Sequence, residues 1–190
     1  MAAAPLSLPD KNRGDDFRPL YTARVAVRGG EAAHGRASGR ARSDDGALQR
    51  DLRLPRELGG PGGGTNPEQL FAAGYAACFH GALALLAARA GLCIAEAEVR
   101  ARVTFGRDPV DGLYALAAHI DIHLPGLDRA VAEALVRNAE RHCPYAKMAR
   151  QGIESVVAPT QQVRRLMSAP AAGCPGSAGP ARGCARSCSR

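Results

Sequence analysis

Residues 70–88 read LFAAGYAACFHGALALLAA, nineteen consecutive residues without a charged side chain. A membrane span needs about 20 apolar residues, so length alone admits one. Composition argues otherwise. The run is mostly alanine, is interrupted by Gly74, Tyr75, Cys78, His80 and Gly81, and lacks the Leu, Ile, Phe and Val density that drives insertion. A helix apolar on every side and outside lipid is expected to be buried on every side, the central element of a core. Just upstream, Thr65-Asn66-Pro67-Glu68 resembles a capping box with a proline in the first turn. The run LGGPGGGT at 58–65 before it reads as a glycine-rich loop, whose glycines are expected to permit a tight approach to a pocket.

Outward from the helix the pattern changes to period two. Leu20 to Arg28 alternates, with Tyr21, Ala23, Val25 and Val27 on one face, and Leu48, Leu52 and Leu54 support a second strand that Pro55 ends. Downstream, Val99, Val103 and Phe105 alternate with polar residues, as do Tyr114, Leu116, Ala118, Ile120, Ile122 and Leu124. Asp108-Pro-Val-Asp-Gly112 between the two runs makes them a hairpin. Leu127, Val131, Ala134, Leu135 and Ala139 recur at helical spacing, with Asp128 as cap, and this helix is expected to stop before Cys143-Pro144. PYAKMARQ suits a short following helix, and Ile153, Val156 and Val157 a last short strand. The order β-β-α-β-β-α-β, with local hairpins and one buried helix, is α+β.

The whole chain has 190 residues, 46% hydrophobic and 23% charged, which suits one domain with a real core. Residues 1–18 are polar, aperiodic and read as a disordered leader. Residues 166–190, rich in Pro, Gly, Ala, Arg and Cys, read as a disordered tail, which leaves 19–165 for the domain. The net charge of +7 suggests nucleic acid until it is divided: five arginines from Arg164 onward face no acid after Glu154, so the part before them carries only +2. With no aromatic interleaving to stack bases, neither nucleic acid nor membrane is expected as a partner. Six cysteines are too few for a disulfide scaffold, and residues 1–20 lack a secretory signal's pattern, so a reducing cytoplasm is the expected compartment.

Three cysteines fall in the domain. Cys93, in the turn after the long helix, reads as a small buried hydrophobe. Cys78 lies midway along the long helix, and Cys143 stands at or beside the N-cap of the short helix that Pro144 opens, where the helix dipole favours a thiolate. His80 and His142 flank these cysteines without a usual zinc spacing, and there is no CxxC, so no metal is expected. His80 reads as a core or pocket residue, and His119 and His123 as exposed on the polar face of a strand. Cys174, Cys184 and Cys188 read as exposed thiols of the tail.

The stretch from Gly59 to Phe79, with Asn66-Pro67-Glu68-Gln69-Leu70-Phe71-Ala72-Ala73-Gly74-Tyr75 leading to Cys78, closely resembles the active-site segment of organic hydroperoxide resistance proteins of the OsmC/Ohr family. Leu20-Tyr21-Thr22-Ala23, Pro55-Arg56-Glu57-Leu58-Gly59-Gly60, Leu124-Pro125-Gly126 and Cys143-Pro144-Tyr145 resemble it too, in order. The resemblance spans roughly Leu20 to Val157. It implies a homodimer with antiparallel sheets wrapped around central buried helices. It also implies a thiol-dependent peroxidase of organic (alkyl or fatty-acyl) hydroperoxides: Cys78 as peroxidatic thiol, Cys143 as resolving thiol, and Glu68 as the carboxylate that pairs with a catalytic arginine. No bound cofactor is implied; the reductant would be an external dithiol, a lipoylated protein in this family. Phe71, Tyr75, Phe79 and Leu83 form an apolar wall suited to an organic peroxide.

The departure lies in the arginine. Family members resemble one another in a Gly-Gly-Arg-Asp-Gly loop after the first strand, whereas Glu31 follows Gly29-Gly30 here and the loop to Gly46 is longer. Counting back from Ser43-Asp44-Asp45-Gly46 selects Arg36, with Arg40 and Arg42 as rivals. Alternatives to this function are an OsmC-type peroxidase of different peroxide preference and, were the arginine lost, a non-catalytic binding protein on the same fold. A nucleic-acid binder acting through the tail ranks third.

Overall fold

A computed structural model describes residues 16–30 and 37–159. The leader up to residue 15, Arg36, and residues 160–190 with the three tail cysteines lie outside the described residues. The chain divides into a unit at Met1–Ile153 and a second at Glu154–Arg190. Of the second, residues 154–159 are described, and they form neither helix nor strand.

In the first unit the order is β1 (Val25–Arg28), β2 (Ser38–Ser43), β3 (Gln49–Arg53), α1 (Pro67–Arg89), β4 (Glu98–Arg107), β5 (Tyr114–His123), α2 (Arg129–His142) and α3 (Pro144–Gln151). The α+β class stands, and the helices have the expected places. The strands differ at three points. The first is shorter than Leu20–Arg28, and Leu20 and Tyr21 are exposed. β2 arises inside what reads as a loop, because Gly39 and Ala41 put only small residues on its inner face and leave no apolar alternation to see. The expected last strand is absent: Ile153 is exposed in the first unit, Val156 and Val157 in the second, and no neighbouring ladder pairs with them among the described residues.

β1, β2 and β3 form one antiparallel sheet in that order, and β4 pairs with β5 in a second, from Glu98 opposite His123 to Arg107 opposite Tyr114. Asp108 closes the hairpin, its carboxylate accepting from Val110 N–H at 2.8 Å, while Gly112 turns at φ 73°. Val99 and Ala101 of β4, with Ile120 and Ile122 of β5, face a core built from Leu83, Leu86, Leu135, Ala139 and Ala146. Complete burial of a leucine contributes about 2–3 kcal/mol, and Leu83, Leu86 and Leu135 are each buried completely.

α1 begins one residue away from the expected box. Asn66 is its N-cap, accepting from Gln69 N–H at 2.8 Å, with Pro67 in the first turn. The expectation of burial all round is corrected: Tyr75, Phe79, Leu83, Leu86 and Ala87 form one buried stripe, while Ala73, Ala77, His80, Gly81, Leu85 and Ala88 are exposed. Among the described residues, β4, α2 and α3 are the elements that pack substantially on α1, and they leave its other flank uncovered. Its length and apolarity still meet the simple test for a membrane-crossing helix; the buried stripe is what ties it to a protein core.

The glycine-rich loop lies against the end of β3. Gly62 N–H donates to Leu54 O at 3.0 Å, while Arg53 N–H donates to Thr65 O at 2.8 Å and Thr65 N–H to Asp51 O at 3.0 Å, which joins loop to strand. A Cβ at Gly60 would stand 2.2 Å from Leu54 O. The glycines therefore serve a close approach of loop to strand, not of loop to pocket.

Candidate active site

Two elements meet where the candidate chemistry lies. Cys78 projects from the middle of α1. Cys143 ends α2 and caps α3: its N–H closes α2 onto Ala139 O at 2.8 Å, and its carbonyl accepts from Lys147 N–H at 3.0 Å. One residue thus belongs to both helices, and Pro144 fits the next position because the first turn needs no N–H there. A clasp holds this corner. Arg150 donates to the Glu140 carboxylate at 2.8 Å and to Glu140 O at 3.3 Å, linking the end of α3 back to α2.

This corner brings the Sγ atoms of Cys78 and Cys143 within 3.4 Å, with the Cys143 thiol donating to Cys78. Cys143 is fully buried and Cys78 half-buried. Burial pushes the Cys143 thiol upward, the backbone N–H of Ala146 works against it, and the neighbouring Cys78 sulfur raises it again. The pair is therefore asymmetric. Burial favours the protonated form of Cys143, and Cys78 is the more exposed residue of the two.

Aromatic rings pack in the same core cluster as the two cysteines. Phe71, Tyr75 and Tyr145 are mutually 5.9–6.0 Å apart between centroids. Burial, and then the nearby Cys143, raise the Tyr75 phenol, while the Arg150 charge opposes that shift. Of the four expected wall residues, Phe71 and Tyr75 belong to this cluster. Phe79 and Leu83 are 3% and 0% exposed and are core residues in the single chain. Tyr145 and the Glu140–Arg150 clasp escape the sequence reading. The sequence offers only an aromatic two residues after the thiol; its seat against Gly74 in mid-helix is a tertiary contact.

Glu68 sits in the first turn of α1, half-buried. It lies ten residues before Cys78 on one unbroken helix, or roughly 15 Å along the axis. Arg40 and Arg42, the rivals of Arg36, lie in β2, where Arg40 pairs with Asp51 at 3.1 Å. Among the described residues no hydrogen bond joins either to the thiols. His80 is exposed, which overturns the core reading, and Cys93 is exposed too. His142 Nδ1 contacts Asn138 O at 2.8 Å, and His119 contacts Asp121 at 3.0 Å on the open face of β5. No group of three or more metal-ligating side chains occurs among the described residues.

Fold and site together define an α+β protein with two sulfurs from separate helices in contact beside an aromatic cluster. Residues 60–157 match the OsmC-like protein family. The organic hydroperoxide resistance protein of Xanthomonas axonopodis pv. citri is 44% identical over 137 residues, covering 71% of this chain and 91% of that one. Organic hydroperoxide resistance protein OhrB of Bacillus subtilis is 40% identical over 135 residues, 71% and 94% of the two chains. A crystal structure of an organic hydroperoxide resistance protein from Legionella pneumophila superposes with a TM-score of 0.63 at 39% identity, covering 71% of this chain and 93% of the other. The chain belongs to the OsmC/Ohr family.

Proposed function

We propose that this chain is a thiol-dependent peroxidase that reduces organic hydroperoxides to alcohols. The observation that carries the reading is the 3.4 Å contact between Cys78 and Cys143, in a chain whose relatives are named for resistance to organic hydroperoxides.

The Cys78 thiolate attacks one oxygen of the peroxide O–O bond. That bond breaks, the other oxygen leaves as alkoxide and takes a proton to become the alcohol, and Cys78 becomes a sulfenic acid. Cys143, as its thiolate, then attacks the Cys78 sulfur, an S–S bond forms, and the sulfenic oxygen leaves as water with the proton that Cys143 releases. The sulfurs need close by only about 1.4 Å to reach disulfide length. An external dithiol of lipoyl type, carried by a partner protein, exchanges with this disulfide and returns both thiols. The protein itself holds no metal or other cofactor in this scheme. The aromatic cluster of Phe71, Tyr75 and Tyr145 favours alkyl or fatty-acyl peroxides over hydrogen peroxide.

Arg36 supplies the guanidinium that steadies the attacking sulfur and the departing oxygen, and Glu68 orients it. Because Glu68 and Cys78 are far apart on one straight helix, Glu68 of one subunit completes the Cys78 site of the other in a homodimer. The exposed apolar flank of α1 supports that assembly, since a soluble monomer would leave Ala73, Ala77 and Leu85 in water. The enzyme acts in the cytoplasm, without nucleic acid or membrane as a partner.

Intact mass after one equivalent of cumene hydroperoxide tests the cycle. The reduced parent is expected to lose two hydrogens through a Cys78–Cys143 link. Cys143→Ser should gain one oxygen, and Cys78→Ser should not change. Slow oxidation common to all three would overturn the reading.

A further inference from the structure

Glycine in the middle of a helix costs about 1 kcal/mol relative to alanine, so Gly74, inside α1, calls for a reason. Gly81, one helical stretch later, has open space where its Cβ would be. At Gly74 a Cβ would stand 2.9 Å from Tyr145 Oη, 3.2 Å from Cζ and 3.4 Å from Cε1. The phenol ring of Tyr145 therefore lies directly on the bare backbone of α1, four residues before Cys78. Tyr145 is two residues after Cys143, and its ring is held on its other sides by Phe71 and Tyr75. Between Tyr145 and Cys143 stands only Pro144, whose φ is fixed. Phe71 and Tyr75 limit rotation of the ring away from a Cβ at 74, so part of its displacement passes to α3 and to Cys143 at the start of that helix.

We infer that Gly74 is a positioning residue: it seats Tyr145 on α1 and thereby holds Cys143 within bonding reach of Cys78, so that it governs disulfide formation and not the attack on peroxide. The inference rests on the peroxidase reading for its consequence in turnover. The geometric part stands without it. A Cβ at 74 lifts the ring, α3 moves with it, and the two sulfurs separate, while the Cys78 sulfur on α1 stays where it is.

The test is Gly74→Ala, read twice. With diamide, which removes two hydrogens from a thiol pair without any peroxide chemistry, Cys78–Cys143 formation is expected to slow by about 10- to 100-fold, since displacement of reacting atoms by about 1 Å costs up to about 100-fold. With a stoichiometric alkyl hydroperoxide, disulfide yield should fall by more than the first-turnover loss of peroxide does, and Cys78 should gain two oxygens in excess peroxide. Gly74→Ala/Tyr145→Phe, which removes the nearest clashing atom, should recover part of the lost disulfide rate, a rescue that general damage to the helix would not give. Parental diamide kinetics in Gly74→Ala, or a double variant no faster than the single one, would overturn the inference. If Gly74→Ala does not fold, Tyr145→Ala must show the same slow disulfide formation, and a parental rate there overturns it equally. A parent that forms the disulfide with diamide but not with peroxide counts against the peroxidase reading alone.

Discussion

The first turn of α1 carries both the helix cap and Glu68, so removing the cap is informative. Asn66 is buried, and its side-chain oxygen accepts the Gln69 N–H at 2.8 Å. Asn66→Ala deletes that acceptor and leaves one of the four unpaired N–H groups of the helix start without its partner. Loss of an N-cap costs about 1 kcal/mol, up to about 2 where the site is sheltered from water, as it is here. For a folding unit of about 150 residues, each kcal/mol lowers the melting temperature by about 2–4 °C. At about 2 kcal/mol the expected drop is about 4–8 °C by thermal denaturation of the reduced protein. Asn66→Asp keeps the acceptor and adds negative charge at the positive end of the helix, so it should melt within about 1 °C of the parent or slightly above it. Two results would refute the reasoning: Asn66→Ala melting with the parent, or Asn66→Asp falling as far as alanine.

Two further outcomes follow from burial. Leu135→Ala empties a completely buried site between α1 and α2 and should cost about 3–4 kcal/mol, measured by urea titration; a loss below about 1 kcal/mol would mean the core closes over the gap. The Cys143 thiol titrates above its ordinary value because of burial, so the folded state holds its proton where the unfolded chain has released it. That contribution is complete below the ordinary thiol value and is lost as pH rises through the folded value. Thermal melts between about pH 8 and 10.5 should fall more steeply for the parent than for Cys143→Ala, and equal slopes would contradict the assignment.

The helices were legible because each carries its own punctuation. Asp128 caps α2, accepting from Ala130 N–H at 2.9 Å, and Pro144 starts α3 at its expected residue. The β4–β5 hairpin was legible from alternation and from Asp108 and Gly112. β2 was not, because SGRARS has no large apolar residue; only pairing with Val25–Arg28 and Gln49–Arg53 makes it a strand. Burial around α1 was misjudged for a related reason. An apolar sequence records that a face avoids water in the working protein, not which chain covers it. At the site, the sequence places Cys143 at a helix start but supplies no distance to Cys78, and the family resemblance alone paired them. The Tyr145 ring on Gly74 depends on how α3 folds back over α1, which no local pattern encodes.

The geometry divides the proposed chemistry into two parts with different dependence on assembly. The thiol pair is made within one chain: α1 holds Cys78, the α2–α3 corner holds Cys143, and the Glu140–Arg150 clasp fixes the corner without help from a second copy. Glu68, the proposed activating carboxylate, does not share that independence, because an unbroken α1 sets it and Cys78 about 15 Å apart along its axis. The helix acts as a ruler that keeps Glu68 from its own chain's sulfur, and in the proposed dimer it is the neighbour's sulfur that Glu68 serves. The exposed Ala73, Ala77, Gly81 and Ala88 on the flank of that same helix permit a close approach of a second backbone. In the proposed dimer, peroxide attack thus depends on the partner, whereas disulfide closure depends only on the contact between α1 and α3. Under the proposed chemistry, a sulfenic acid on Cys78 would be resolved by Cys143, whose sulfur stands 3.4 Å away in the same chain and need not be brought in from elsewhere.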